Sequence, residues 1–469
     1  MRNALLFRLA ARGLHANRRL YLPFWLSAGI IALVYYIIAA FSASADFAAS
    51  IPNGGNICML MGVGYYLLPV VIVPFLVYVN SFLLKGRSRE LALYAILGLQ
   101  KRHVAAVLLL ECLAGLLVCL ICGIGAGMLL CPLVFRSLLA VLGASGGVWH
   151  VSPFPALATV KLFSCCFALL LAMNVWRAAR TSPASLLREQ KQGEKTMRAR
   201  LPAALAGLVC LGWAYRLALT TSLQTFTLNS FALALLLVIL GTYFLFASGS
   251  VYVLERMRRG RRFYADPSRF VIISGLQHRM RKNAAGLTNI CLFASATLFT
   301  LCCSVCVLLG QGDAIARLGQ ALTEGQIGLN TADLTSQEVV MEFTALAFLG
   351  LFFVLVFLAC TALVLYYKQF AEGLDDAPRF RILRAVGLSD ELTVRTARRQ
   401  LRVVFLLPLG AALLHIAAAS PILATLLNIL AIDDPVIIFG GIGAAMLCFC
   451  AVYAVCYRAA SRTYLKMLI

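Results

Sequence analysis

Apolar residues fall along this chain in ten long blocks, and polar residues gather in the gaps between them. The blocks run over approximately 20–44, 60–84, 104–135, 154–176, 202–222, 229–254, 286–310, 342–367, 402–430 and 436–457. Each is long enough to cross roughly 30 Å of hydrocarbon as a helix. The pattern predicts an all-α polytopic membrane protein with about ten transmembrane helices. Residues 1–19 differ, because Leu5, Leu6, Leu9 and Leu14 are interspersed with Arg2, Arg8, Arg12, Arg18 and Arg19. That is the pattern of an interfacial helix lying on the inner leaflet. The first block follows Arg18 and Arg19 and ends near Ala43-Ser44-Ala45, so it could pass for a signal peptide. Its length exceeds the usual apolar core of about 7–15 residues, and we read it as an uncleaved anchor.

Composition agrees with lipid as the main solvent: 62% of residues are hydrophobic, 13% are charged, and the mean hydropathy is +0.89. The formal net charge of +22 would suggest nucleic acid in a soluble protein, so the placement of the charge decides its meaning. Of the 41 Lys and Arg residues, 37 lie in the alternate connections 1–19, 85–103, 177–200, 255–282, 368–402 and 458–466. By the positive-inside rule these face the cytoplasm, which puts both termini there and makes the number of spans even. Asp46, Asp313, Glu324, Asp333, Glu338, Glu342, Asp433 and Asp434 fall on the opposite side. The basic excess therefore signals topology and attraction to anionic lipid rather than a nucleic-acid partner.

Of the 16 cysteines only Cys58 lies outside the apolar blocks, so no disulfide framework is expected. Cys165-Cys166 and Cys302-Cys303 lack the polar surroundings and His partners of a metal site. Gly123, Gly125, Gly127, Gly440, Gly441 and Gly443 suit close helix packing. There is no P-loop, no HExxH and no GxSxG, so the chain reads as a non-enzyme without a cofactor of its own. A membrane protein without its own ATP site can still be driven by a partner, which turns attention to the cytoplasmic loops.

Two of those loops resemble each other. RELALYAILGL (89–99) aligns with RFRILRAVGL (379–388) on Leu97-Gly98-Leu99 and Val386-Gly387-Leu388, a repeat displaced by 289 residues. Each copy precedes a membrane block and sets apolar residues at helical spacing beside charges: Leu91, Tyr94 and Leu97 in one, Phe380, Leu383 and Val386 in the other. A short helix of that kind along the inner face is what a soluble partner could grip.

At this point the chain resembles a family. SRELALYAILGLQKRHVAAVLLLE (88–111) is similar to the FtsX-like permease domain of ABC transporters. LFASGSVYVLERMRRGRRFYADPSRFVIISGLQHRMRKNAAGLTNI (245–290), FRILRAVGLSDELTVRTARRQLRVVFLLPLGAALLH (380–415) and NRRLYLPFWLS (17–27) narrow this to BceB-like permeases, linked to resistance against cell-wall-active peptide antibiotics. The resemblance implies two FtsX-like four-helix halves joined by a two-helix middle segment. Their bounds would be an interfacial helix 1–19, a first half 20–180 with coupling helix 89–100, a middle segment 181–285, and a second half 286–469 with coupling helix 378–390. BceB-like permeases usually carry a large extracellular domain between helices seven and eight; here that connection is only about 311–341, so the resemblance is weakest where ligand sensing resides.

What the resemblance implies about function is a permease in the bacterial cytoplasmic membrane. Separate ATPase subunits, two of them, would bind ATP-Mg and push the coupling helices, and some family members act alongside a sensor histidine kinase. The substrate would be antimicrobial peptides or their lipid-linked targets. Docking would fall on Leu91, Tyr94, Leu97, Gly98, Leu99, Phe380, Leu383, Val386, Gly387 and Leu388. Glu111 and its counterpart Gln400 would transmit force, with Glu111 paired to Lys101, Arg102 or Arg379 or else held protonated. Lys161 and Arg216 lie several residues inside their spans and form a candidate anion site for phosphate, set against simple snorkelling to the headgroups. Two other classes compete: an FtsX-like mechanotransmission or lipoprotein-release permease, and an ion-coupled secondary carrier, which usually needs more membrane-embedded acids than Glu111 alone.

Overall fold

The computed structural model describes residues 2–50, 54–87, 90, 93–94, 96–141, 149–180, 201–221, 227–258, 267–323, 336–385, 389–430 and 432–468. Among these residues the regular structure is all helical. In chain order the helices are α1 (Arg2–Ala16), α2 (Arg18–Ser42), α3 (Ala45–Ser50), α4 (Gly54–Gly86), α5 (Lys101–Val141), α6 (Phe154–Arg180) and α7 (Leu201–Leu219). Then come α8 (Leu228–Phe244), a π-turn over Leu245–Gly249, α9 (Ser250–Arg258), α10 (Pro267–Thr323), α11 (Ser336–Ala385), α12 (Asp390–Ile429) and α13 (Pro435–Leu468). Ten candidate spans occur among the described residues, α8, the π-turn and α9 together making one of them. The protein is a polytopic all-α membrane protein.

Several helices run well past the apolar blocks. At 1.5 Å per residue, the 41 residues of α5 reach about 60 Å, twice the hydrocarbon thickness. The expected second coupling helix, 378–390, is not a separate element: α11 continues through Pro378 to Ala385, and α12 starts at Asp390. Cys58, just outside its apolar block, lies in the first turns of α4.

The helices group into two compact units, residues 1–193 with 327–363, and residues 194–326 with 364–469. In the first, α2 is the central helix, buried along most of its length. A Cβ on Gly123 would stand 2.5 Å from Ala32 Cβ and 3.2 Å from the Gly29 carbonyl oxygen, so small residues set how closely α2 and α5 approach. In the second, α7 and α8 cross at Gly207 and Gly241, where a Cβ on either would meet the other's carbonyl oxygen at 3.0–3.1 Å. Also in that unit, His415 of α12 lies between Tyr215 of α7 and Thr242 of α8. Thr242 Oγ1 donates to the Val238 carbonyl at 2.6 Å, so it accepts from His415 Nε2–H at 3.1 Å. That leaves His415 Nδ1 to accept from the Tyr215 hydroxyl at 2.6 Å.

Candidate coupling site and the ion cluster that anchors it

Between α4 and α5 the chain turns back on itself, and the turn carries the first of the repeated motifs. Glu90, Leu93, Tyr94 and Ile96 are helical, and Gly98 ends the turn with φ +89°. Leu99 N–H reaches back to the Tyr94 carbonyl at 3.0 Å, the six-to-one bond of a Schellman cap with Gly98 at its left-handed position. Tyr94 and Leu99 both pack on the cluster of Val104 and Leu108 of α5, which seats the capped turn on that helix. A Cβ at Gly98 would meet nothing within 4 Å. Glycine is therefore needed here for backbone conformation and not for close approach.

The cap divides the motif into two faces. Tyr94 and Leu99 turn inward, while Leu93, Ile96 and Leu97 stand open to solvent, Leu97 at 69% exposure. Of the expected docking residues this leaves Leu97 and Gly98 on the open face, joined by Leu93 and Ile96, which the apolar spacing had not singled out. Leu91 lies outside the described residues. In the second motif Phe380 is buried on α11, the Leu383 side chain is outside the described part, and so are Val386, Gly387 and Leu388.

The segment is held by a buried ion cluster. Arg87, one residue past α4, is 2% exposed, and Glu111 of α5 is 3% exposed. The expected partners of Glu111 were Lys101, Arg102 or Arg379; its partner is Arg87, whose Nη1 donates to Glu111 Oε2. Arg87 Nε also donates to Glu90 Oε2 at 2.9 Å, and Nη1 lies 2.6 Å from the Tyr21 hydroxyl. Tyr94 donates to Glu90 Oε1 at 2.7 Å, and Asn17, between α1 and α2, donates to Glu90 Oε2 at 2.8 Å. One guanidinium thus serves two carboxylates, and four elements meet on it. Burial alone would raise the Glu90 carboxyl, but Arg87, Tyr94 and Asn17 outweigh it and hold it below the ordinary carboxylate value. Burial likewise opposes the charge on Arg87, and its surroundings of Tyr21, Glu90 and Glu111 outweigh that and raise its proton affinity.

Gly13 of α1 lies over the cluster: a Cβ there would stand 3.0 Å from both Arg87 Nη2 and Glu111 Oε1. On the membrane side, Asn80 of α4 and Asn174 of α6 exchange amide hydrogen bonds of 2.6 and 3.1 Å. Between them and the cluster is a cavity of about 40 Å³ lined by Tyr21, Trp25, Asn80, Arg87, Glu111 and Asn174 among others. That is room for a few water molecules and not for a peptide. A cavity of that size is not built to hold a large ligand.

The remaining expected residues lie apart from this cluster. Gln400, displaced from Glu111 by the repeat, is buried on α12. Lys161 on α6 and Arg216 on α7 are both exposed, and they belong to different units.

The comparisons with known proteins meet this site. The family described as FtsX-like permease C-terminal matches residues 62–183, taking in most of α4, the capped turn, α5 and α6. Residues 62–183 are thus similar to an FtsX-like permease domain. The chain is 23% identical over 278 residues to the uncharacterized ABC transporter permease YvcS of Bacillus subtilis, covering 59% of this chain and 43% of that protein. To the bacitracin export permease protein BceB of the same organism it is 27% identical over 237 residues, covering 48% of this chain and 36% of the relative. The ABC transporter permease protein YxdM of Bacillus subtilis gives 24% over 298 residues, 62% and 46% of the two chains. The chain thus covers less than half the length of each of these relatives.

Proposed function

We propose that this chain is the membrane-spanning subunit of an ABC transporter, with ATP bound and hydrolysed as ATP-Mg by separate cytoplasmic ATPase subunits docked on its two repeated motifs. The observation that carries the reading is the first motif itself. It is a capped turn inside the FtsX-like match, with Leu93, Ile96 and Leu97 open to a partner and Tyr94 and Glu90 tied through Arg87 to a membrane helix. A force applied to the open face passes through the ion cluster to Glu111 and so to α5. By the repeat, an equivalent docking role would fall to Leu383, Val386, Gly387 and Leu388, with the buried Phe380 supporting them from within and Gln400 in the place of Glu111.

For the substrate class, the reading is supported by similarity to a relative that is called a bacitracin export permease. On that basis the transporter handles antimicrobial peptides or their lipid-linked targets, and Lys161 and Arg216, each in its own unit, offer a cation to phosphate near the outer leaflet. Co-expression with candidate P-loop ATPase subunits tests the core of the proposal. Leu97→Asp should insert normally and lose the ATPase on purification, whereas undiminished co-purification would refute docking at this face. For the substrate, Lys161→Met and Arg216→Met should both lower resistance to a peptide antibiotic at normal membrane levels, with Lys161→Arg tolerated because charge matters more than shape. Unchanged resistance in both Met variants would refute the anion site.

A further inference from the structure

In the first unit, the helix preceding the first span reaches the motif. Asn17 Nδ2 donates to the Gly13 carbonyl at 2.9 Å and to Glu90 Oε2 at 2.8 Å, and Gly13 fits over Arg87 and Glu111 where a larger residue would collide. The contact is not incidental packing, because α1 is otherwise amphipathic and presents Leu5, Phe7, Arg8 and Arg12 outward, with Ala10 and Gly13 inward.

The second unit has a parallel of different chemistry. Displacing Arg87, Glu90 and Glu111 by 289 residues gives Asp376, Arg379 and Gln400, so the charge at each of the first two positions changes sign. Asp376 is buried, three residues before the second motif, and accepts from the Tyr464 hydroxyl at 2.9 Å. Tyr464 is fully buried near the end of α13. One helical turn N-terminal to Asp376 is Gly373, where a Cβ would lie 2.7 Å from Met467 Sδ and 3.4 Å from Tyr464. In both units, then, a neutral donor reaches a carboxylate at the base of the motif, and a glycine lets the reaching helix lie close.

We propose that α1 and the end of α13 are braces for the two coupling segments, with Asn17 and Tyr464 as the positioning residues. Each acts through a carboxylate, Glu90 or Asp376, and neither lies on the face offered to a partner. The charge reversal means the braces are not interchangeable: loss of one releases its own segment and leaves the other held. This rests on the reading that the two repeated motifs receive the ATPase, but its first consequence is measurable without any ATPase.

The test is hydrogen–deuterium exchange of the full-length protein in detergent, with co-purification of the ATPase as a separate readout. Tyr464→Phe removes one hydroxyl and keeps the packing, and should speed exchange over residues 368–388 by roughly tenfold, as expected for one lost hydrogen bond to a charged group. Residues 85–100 should not change. Asn17→Leu should do the reverse. Asn17→Asp keeps the shape but sets a carboxylate against Glu90, so it should be at least as severe as Asn17→Leu; a role in packing alone predicts near-wild-type exchange. Unchanged exchange in the braced segment, equal acceleration throughout the chain, or a harmless Asn17→Asp would each overturn the brace. Accelerated local exchange with undiminished ATPase binding would uphold the brace and refute the docking assignment instead.

Discussion

Arg87→Met removes the cation from the ion cluster while keeping most of the apolar stem. Glu111, at 3% exposure, then lies beside the Tyr21 hydroxyl, 3.3 Å away, with its compensating charge gone. Removing one partner of a buried pair costs about 3–5 kcal/mol, which lowers the folded-to-unfolded ratio more than a hundredfold. Glu90 contributes less to the loss, because its side chain is 25% exposed and water can replace the guanidinium. The assay is thermal unfolding of the detergent-solubilised protein, followed by tryptophan fluorescence, since Trp25 lines the adjoining cavity. The single variant should melt several degrees lower. Arg87→Met combined with Glu111→Leu removes both buried charges and should recover most of the loss, since an apolar pair of similar volume is often neutral in such a site. A single variant within ~0.5 kcal/mol of wild type, the range of ordinary surface changes, would refute the buried pair. So would a double variant no more stable than the single.

Gly98→Ala should cost about 1–2 kcal/mol, the penalty of a side chain in the left-handed region, and should speed exchange in residues 90–99; an unchanged stability would mean the φ of +89° is not held. The depressed Glu90 carboxyl makes a pH-dependent contribution. It is fully present above the ordinary carboxylate value and is lost as pH falls through the lowered folded one. The melting difference between wild type and Glu90→Gln should therefore be large at neutral pH and close in acid, and a difference constant with pH would refute it. His415→Leu breaks the ties to Tyr215 and Thr242. At roughly 0.6–1.7 kcal/mol for each membrane hydrogen bond, it should destabilise measurably, and Tyr215→Phe should reproduce part of the effect; no change in either would refute the tie.

Much of this protein was legible in the chain because lipid imposes a one-dimensional constraint. A span must be apolar for about 20 residues, and the lysines and arginines must stop at its ends. All ten predicted blocks therefore coincide with candidate spans, and Gly98 was visible as a motif glycine. The sequence also marked Glu111 as an acid that needs a partner. It could not name Arg87, because Lys101, Arg102 and Arg87 are equally basic, and the choice depends on where α4 ends relative to α5. Helical spacing grouped Tyr94 with Leu97, yet the Schellman cap turns one into the protein and leaves the other outside. Asn17 and Tyr464 gave no signal at all. A polar residue at a helix end is ordinary in sequence, and only packing across elements 73 and 88 residues apart brings a donor to Glu90 and to Asp376. Hydrophobicity fixed which residues cross the membrane; the pairing of buried charges, a three-dimensional matter of helix ends meeting, decided what those helices hold in place.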